Sequence, residues 1–467
     1  MRVSPYFLAL TFLMGCGPET SKDSSSTEPV KTQATVSTAD NSPEALLNEG
    51  RRAAQSLRHT DRALAAFDKL IETYSTSPTI EFRRLALQAG LEKTALLLAF
   101  TPPHTGLAAN TAQKVLQDSE GVSDTETIRI AAYAYKIRAL SQRTPVETNE
   151  IENILKQGLT LASRIQQNNK PAFSEISPFY AELLFRDGMQ KASRFSPAAA
   201  MDSIAQLTEK IIPGDNDSIS RRYIADGRML RGMLLVAQKP PNFIEAAADY
   251  RAVRSLADGA SIPELQEAGL LARVKLAEIA PHLSVQQVRD AEKDLTALVK
   301  DRSATNNMGI RKATAQAMVQ LADFALNEQP PVPTKAIAHL IGLERYANEQ
   351  MTEEMRYYWA ISLTKRAKIL HTYFPDDRLT AIDLYNRAEQ WLPMSKDSTA
   401  RDRLVAQAAM DYAETLMALA PPRRAEALNV LNRAQTMFRR LHNPNLDPLF
   451  AQLNALRTRI EATPNPS

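Results

Sequence analysis

Residues 378–393 read RLTAIDLYNRAEQWLP. Ala381, Tyr385 and Ala388 stand at i, i+4 and i+7, which is one face of a helix. Pro393 ends the pattern, because proline cannot continue a helix interior. The same trio, a small residue, then a bulky one, then an apolar one, recurs in both directions along the chain. The copies are Ala63/Phe67/Leu70, Ala108/Ala112/Val115, Ile154/Gly158/Leu161, Ala200/Ile204/Leu207, Ala246/Tyr250/Val253, Ala291/Leu295/Leu298, Ala336/Leu340/Leu343 and Ala427/Leu431/Ala434. Successive first members are always 45 or 46 residues apart. The third copy is degenerate, with Ile154 and Gly158 in the small and bulky places.

A second column stands nineteen residues upstream: Ala89, Ala181, Gly227, Ala272, Ala317, Ser362 and Ala408. Small residues there let two helices approach closely. Tyr135 breaks the column, with Ala134 beside it. Prolines punctuate the interval, from Pro102-Pro103 through Pro145, Pro197, Pro240-Pro241, Pro281, Pro330-Pro331 and Pro375 to Pro421-Pro422. Each copy after the first therefore reads as a helix, a proline-marked turn and a second helix. The expected fold is all-α, with about nine hairpins of 45–46-residue period stacked as a solenoid. Leu449, Leu453, Leu456 and Ile460 form one apolar stripe after the ninth hairpin and predict a C-terminal capping helix.

The stretch 378–393 resembles the second helix of the tetratricopeptide repeat, with Ala381, Tyr385, Ala388 and Pro393 at that family's spacing, and DRALAAFDKLIETY (61–74) is similar. The resemblance covers about residues 42–440. It departs in length, since the family unit is about 34 residues, and HEAT-like repeats are the alternative label. It implies a right-handed α–α superhelix whose concave groove holds another protein or a peptide.

Composition agrees with a helical body. Only 15 glycines occur in 467 residues, and the formal net charge is +3 with both signs interspersed. No basic arm is present, so nothing points to nucleic acid. The single cysteine, Cys16, excludes an internal disulfide framework and a cysteine-based structural zinc site.

That cysteine follows Arg2 and the short apolar run YFLALTFLM (6–14), which has the length of a signal-peptide core and is too short to span a bilayer. Leu13-Met14-Gly15-Cys16 resembles the bacterial lipoprotein lipobox. The resemblance implies acyl chains, palmitate among them, on Cys16, with the protein held in the cell envelope. Gly17, in a place where aspartate signals inner-membrane retention, favours the outer membrane facing the periplasm. The expected order is a signal peptide (1–15), Cys16 and a disordered polar tether (16–41), the repeat region (42–444), and a capping helix with tail (445–467). The tether has a reach of roughly 28 Å.

No catalytic, cofactor or metal constellation emerges. The six histidines (59, 104, 282, 339, 371 and 442) show no i, i+4 pair. Acidic pairs such as Glu353-Glu354 and Asp376-Asp377 read as solvated helix surface. RYYWAISL (356–363) is the densest aromatic stretch. Its Tyr357, Tyr358 and Trp359 are the nearest approach to a ligand-binding cluster, although their place beside Ser362 also suits core packing. The expected function is a non-catalytic, membrane-anchored scaffold for protein–protein or peptide interaction. Glycan or nutrient capture at the outer membrane is the alternative, and a cell-wall enzyme ranks below both.

Overall fold

The computed structural model describes residues 42–463, apart from 56–58, 144–145, 147, 169, 195, 214–216, 302–306, 392–398 and 442–445. Cys16 and the segments 1–15 and 16–41 lie outside the described residues. Among the described residues there are nineteen α-helices and no strand. They form nine hairpins and a final helix. Hairpin 1 is α1 (Pro43–Ala54) with α2 (Thr60–Tyr74), hairpin 2 is α3 (Ile80–Ala99) with α4 (Thr105–Asp118), and hairpin 3 is α5 (Glu126–Ser141) with α6 (Thr148–Asn168). Hairpin 4 is α7 (Lys170–Ser193) with α8 (Pro197–Lys210), hairpin 5 is α9 (Ser218–Ala237) with α10 (Phe243–Ala257), and hairpin 6 is α11 (Pro263–Ile279) with α12 (Val285–Lys300). Hairpins 7 to 9 are α13 (Met308–Asn327) with α14 (Pro333–Glu349), α15 (Glu353–Tyr373) with α16 (Arg378–Trp391), and α17 (Thr399–Met417) with α18 (Arg424–Leu441). α19 (Asp447–Ala462) follows. The described residues fall into two compact units, one ending at Arg231 and one beginning at Gly232, with the division inside α9.

Local chemistry sets the helix starts. Ser42, Asn242, Ser284, Asn307 and Thr352 accept the backbone N–H three residues on, satisfying a donor that the first turn leaves free. The turns inside the hairpins repeat as well. In four of them the same bond closes the loop: His104 N–H to Leu97 O, Asn242 to Leu235, Val332 to Ala325 and Arg423 to Leu416, at 2.8–3.0 Å. In each case the small residue that opens the trio lies four positions later, so the turn fixes the register of the second helix.

Packing follows the columns. All members of the first trio column are buried except Ala291, which is half-buried. The bulky member seats on a small residue of the first helix: a Cβ added at Gly232 would lie 2.5 Å from the Tyr250 ring. Gly50 takes the Phe67 ring in the same way. The upstream small column faces the preceding hairpin. Gly227 leaves 2.8 Å between an added Cβ and Leu207, and the Ser362 hydroxyl donates to the Leu340 carbonyl at 2.7 Å. Ala408 departs from expectation: it is half-buried, while its neighbours Ala406 and Ala409 are buried. α19 packs on α17 and α18 with Leu453, Leu456 and Ile460 buried, so the last hairpin's apolar face is covered.

Candidate interaction surface

The third hairpin breaks the small column at Tyr135 and the bulky column at Gly158, and the two breaks meet different partners. Gly158 leaves a gap on α6. Tyr133 of α5 and Leu183 of α7 fill it, their atoms 3.2 and 3.0 Å from where a Cβ would stand. Volume has moved from the second helix to the first helices. Tyr135, two residues on from Tyr133 and so on another face of α5, is half-buried and meets the Phe179 ring edge-on, 5.8 Å between centroids.

Beneath this aromatic pair lies a charge network drawn from three first helices. Glu182 of α7 is 1% exposed. Arg138 of α5 donates to it through Nη2 at 2.6 Å and Nε at 3.2 Å. Arg186 donates through Nη2 at 3.2 Å, and its Nη1 reaches the Ser141 hydroxyl at 3.2 Å. Arg138 Nη2 also points at the Tyr223 hydroxyl of α9, 3.5 Å away, and its guanidinium lies 5.2 Å from the Tyr135 ring centroid. Burial alone would raise the Glu182 carboxyl, but Arg138 and Arg186 outweigh it and hold the group below its ordinary value. Burial, reinforced by the Glu182 charge, pushes the Tyr223 phenol well above its usual range, so it stays a neutral hydrogen-bonding group. The arrangement can hold two aromatic rings and a partly exposed guanidinium in fixed positions. It offers no nucleophile beside a base.

The aromatic stretch singled out in the sequence sits elsewhere. Tyr358 and Trp359 belong to the apolar core of the C-terminal unit. The Tyr358 hydroxyl accepts from Gln316 Nε2 at 3.0 Å, and Arg387 lies over the Trp359 ring at 5.5 Å. Tyr357 is half-buried, edge-on to Tyr358 at 5.4 Å. These residues therefore pack between hairpins 7 and 8, and Tyr357 alone is partly open. The residues of the charge network went unremarked as a site in the sequence. The one available signal was the coincidence of both column breaks in a single hairpin.

Among the described residues no group of His, Cys, Asp and Glu side chains is placed to hold a metal ion, and no helix is long and apolar enough to cross a membrane. No family model matches the chain, and no curated protein matches it. Among solved structures it is similar to a circular tandem repeat protein with novel repeat topology and enhanced subunit contact surfaces. The two share 12% identity over 90% of this chain and 96% of that one, with a TM-score of 0.20. A likeness that low carries no argument; the repeat is established by the hairpins themselves.

Proposed function

We propose that this chain is a lipid-anchored scaffold of the cell envelope, built of tetratricopeptide-like repeats, that binds a protein or peptide on the first-helix side of hairpins 3 to 5. The observation that carries the binding reading is the buried Arg138–Glu182–Arg186 network holding Tyr135 and Phe179 half-exposed. Tyrosine and arginine dominate binding hot spots because they bring large contact area with little freedom to lose. Departures from an otherwise regular pattern concentrate where a protein does something besides fold. The anchor reading rests on Leu13-Met14-Gly15-Cys16 and on the polar stretch after it. In this reading acyl chains at roughly 0.8 kcal/mol per buried CH₂ hold the protein, the outer membrane is the site, and no catalysis is involved.

Two measurements test it. A photoreactive residue in place of Tyr135 should capture a protein in intact cells, whereas one in place of Glu209, exposed on α8, should not. Equal capture at both places, or none at Tyr135, defeats the binding reading. Cys16→Ser should move the protein from the membrane fraction to the soluble one with its helical circular dichroism unchanged; retention in the membrane defeats the anchor.

A further inference from the structure

The exposed large apolar side chains of the C-terminal unit are not scattered. Among its described residues they are Ile244, Val285, Tyr373 and Leu379, at 78, 72, 42 and 61% exposure. All four stand where a first helix turns into its second: Ile244 and Val285 in the opening turns of α10 and α12, Tyr373 at the end of α15, Leu379 in the opening turn of α16. The same turns expose Pro240, Pro241, Pro281 and Pro375. Charges of both signs stand at this edge, exposed Asp376 and Asp377 among them, and Lys335 pairs with Glu328 at 2.7 Å and Arg423 with Glu426 at 3.5 Å. Within 232–463 the opposite ends of the helices expose no large apolar side chain among the described residues, and they carry Asp258, Asp301, Glu349 and Glu353 with Lys300.

We propose that this turn-bearing edge of residues 232–463 seats on the surface of a lipid bilayer, an inference that rests on the lipid-anchored reading above. The form of the edge favours lipid over a protein. Protein hot spots cluster in a desolvated pocket, but here single aliphatic side chains stand on separate turns. The concavity at this edge is shallow, between the turns before α10 and α12. Its walls are Lys239, Pro240, Pro241 and Ile244, with the His282 ring stacked on Phe243 at 4.2 Å. Separate apolar tips beside a long-stemmed lysine suit the headgroup layer, into which the tips dip while the ammonium stays wet. Tyr373 offers the amphipathic ring favoured at such boundaries. An anionic leaflet repels the acidic opposite edge, so one orientation is selected. An acylated Cys16 would keep the whole chain at high effective concentration near the surface.

The test uses the full lipidated chain on vesicles of phosphatidylethanolamine and phosphatidylglycerol. Acylation consumes Cys16, so Ile244→Cys, Val285→Cys and Leu379→Cys, with Asp258→Cys and Asp301→Cys on the opposite edge, each add one free thiol for an environment-sensitive fluorophore. Nitroxide on the lipid acyl chains should quench the first three probes at least threefold more than the last two. Equal quenching at both edges, or none in a chain that floats with the vesicles, overturns the proposal. Shielding of the first three from aqueous iodide without lipid quenching overturns it in favour of a protein partner. Flotation compared with Cys16→Ser reports the anchor separately. If the anchor fails, the same probes in the Cys16→Ser chain with added vesicles decide the seat: selective quenching supports it and no quenching overturns it.

Discussion

Hairpins 3 to 5 and hairpins 7 to 9 share one period and handle charge differently. In the later hairpins most ion pairs between helices are half-exposed, and the buried pair, Arg401–Asp402 at 2.8 Å, joins neighbours in sequence on α17. Asp323 pairs with Lys365 at 2.5 Å, Lys368 with Asp411 at 3.3 Å and Glu414 with Arg459 at 2.8 Å, linking α13, α15, α17 and α19 in turn. The second helices are linked likewise, through Arg254–Asp294, Glu292–Lys335, Glu344–Arg387 and Glu389–Arg433, from α10 to α18. In hairpins 3 to 5 the carboxylate goes inside. Glu182 is shielded from water and depends on two guanidiniums for its charge. Where Tyr135 and Gly158 break the columns, the packing admits a buried ion cluster drawn from separate hairpins.

The sharpest way to break this contrast is Glu182→Ala. It strands Arg138 and Arg186 beside each other in a buried place, and loss of one partner of such a cluster costs about 3–5 kcal/mol. Denaturant unfolding should show it, with exchange protection lost first in α5 and α7. Leu453→Ala probes the regular end. Removing a fully buried leucine from the cap costs about 2–5 kcal/mol, felt in hairpin 9 and α19 with hairpins 3 to 5 unchanged. Uniform loss of protection along the chain in either variant would mean that the hairpins do not respond locally.

Acid should separate the two regions with a smaller effect. The Glu182 carboxyl is held below its ordinary 4.5 because its arginines outweigh burial, so its stabilisation is present above that pH and is lost as pH falls towards its folded value. Asp411 has the reverse sign. Burial, only partly offset by Lys368, raises it above 3.8, so the cost of its buried charge is relieved as pH falls through the raised value. Hydrogen exchange, corrected for intrinsic rates, should show α7 losing more protection than α17 between pH 7 and pH 4. The reverse order would put the sensitive charge elsewhere. The smallest effect belongs to the exposed rungs. Glu389→Gln removes the Arg433 pair, 2.8 Å long but 40–48% exposed, and should cost under about 1 kcal/mol, less at high salt.

Much of this architecture was legible in the residues. The columns at Ala63 to Ala427 gave the second helices, the prolines gave the turns, and the stripe from Leu449 to Ile460 gave the cap. These signals are local periodicities, which a sequence displays directly. A further small column at Gly232, Ala277, Ala322, Ala367 and Ala413 was there to be read and is buried throughout the C-terminal unit. The network at Glu182 was not legible. Glu182 and Tyr223 lie 44 and 85 residues from Arg138, and nothing in the stretch around Glu182 distinguishes it from the solvated carboxylates nearby. Trp359 shows the opposite limit: an aromatic cluster advertises itself in the sequence whether it faces the core or a ligand.

The rungs that join neighbouring hairpins bear on how the molecule behaves under load. The hydrogen bond from Arg138 to Tyr223 reaches past an adjacent hairpin. The rungs described from α10 to α19 each join a neighbour to a neighbour, so a pull along that stretch is passed in series. From α10 to α19 the stack is therefore a compliant spring whose stiffness depends on ionic strength, since each half-exposed ion pair is screened as salt rises. Around α5, α7 and α9 the buried cluster acts as a clamp that salt barely reaches. A protein tugged at its ends would give way one hairpin at a time in the springy stretch before the clamp yields.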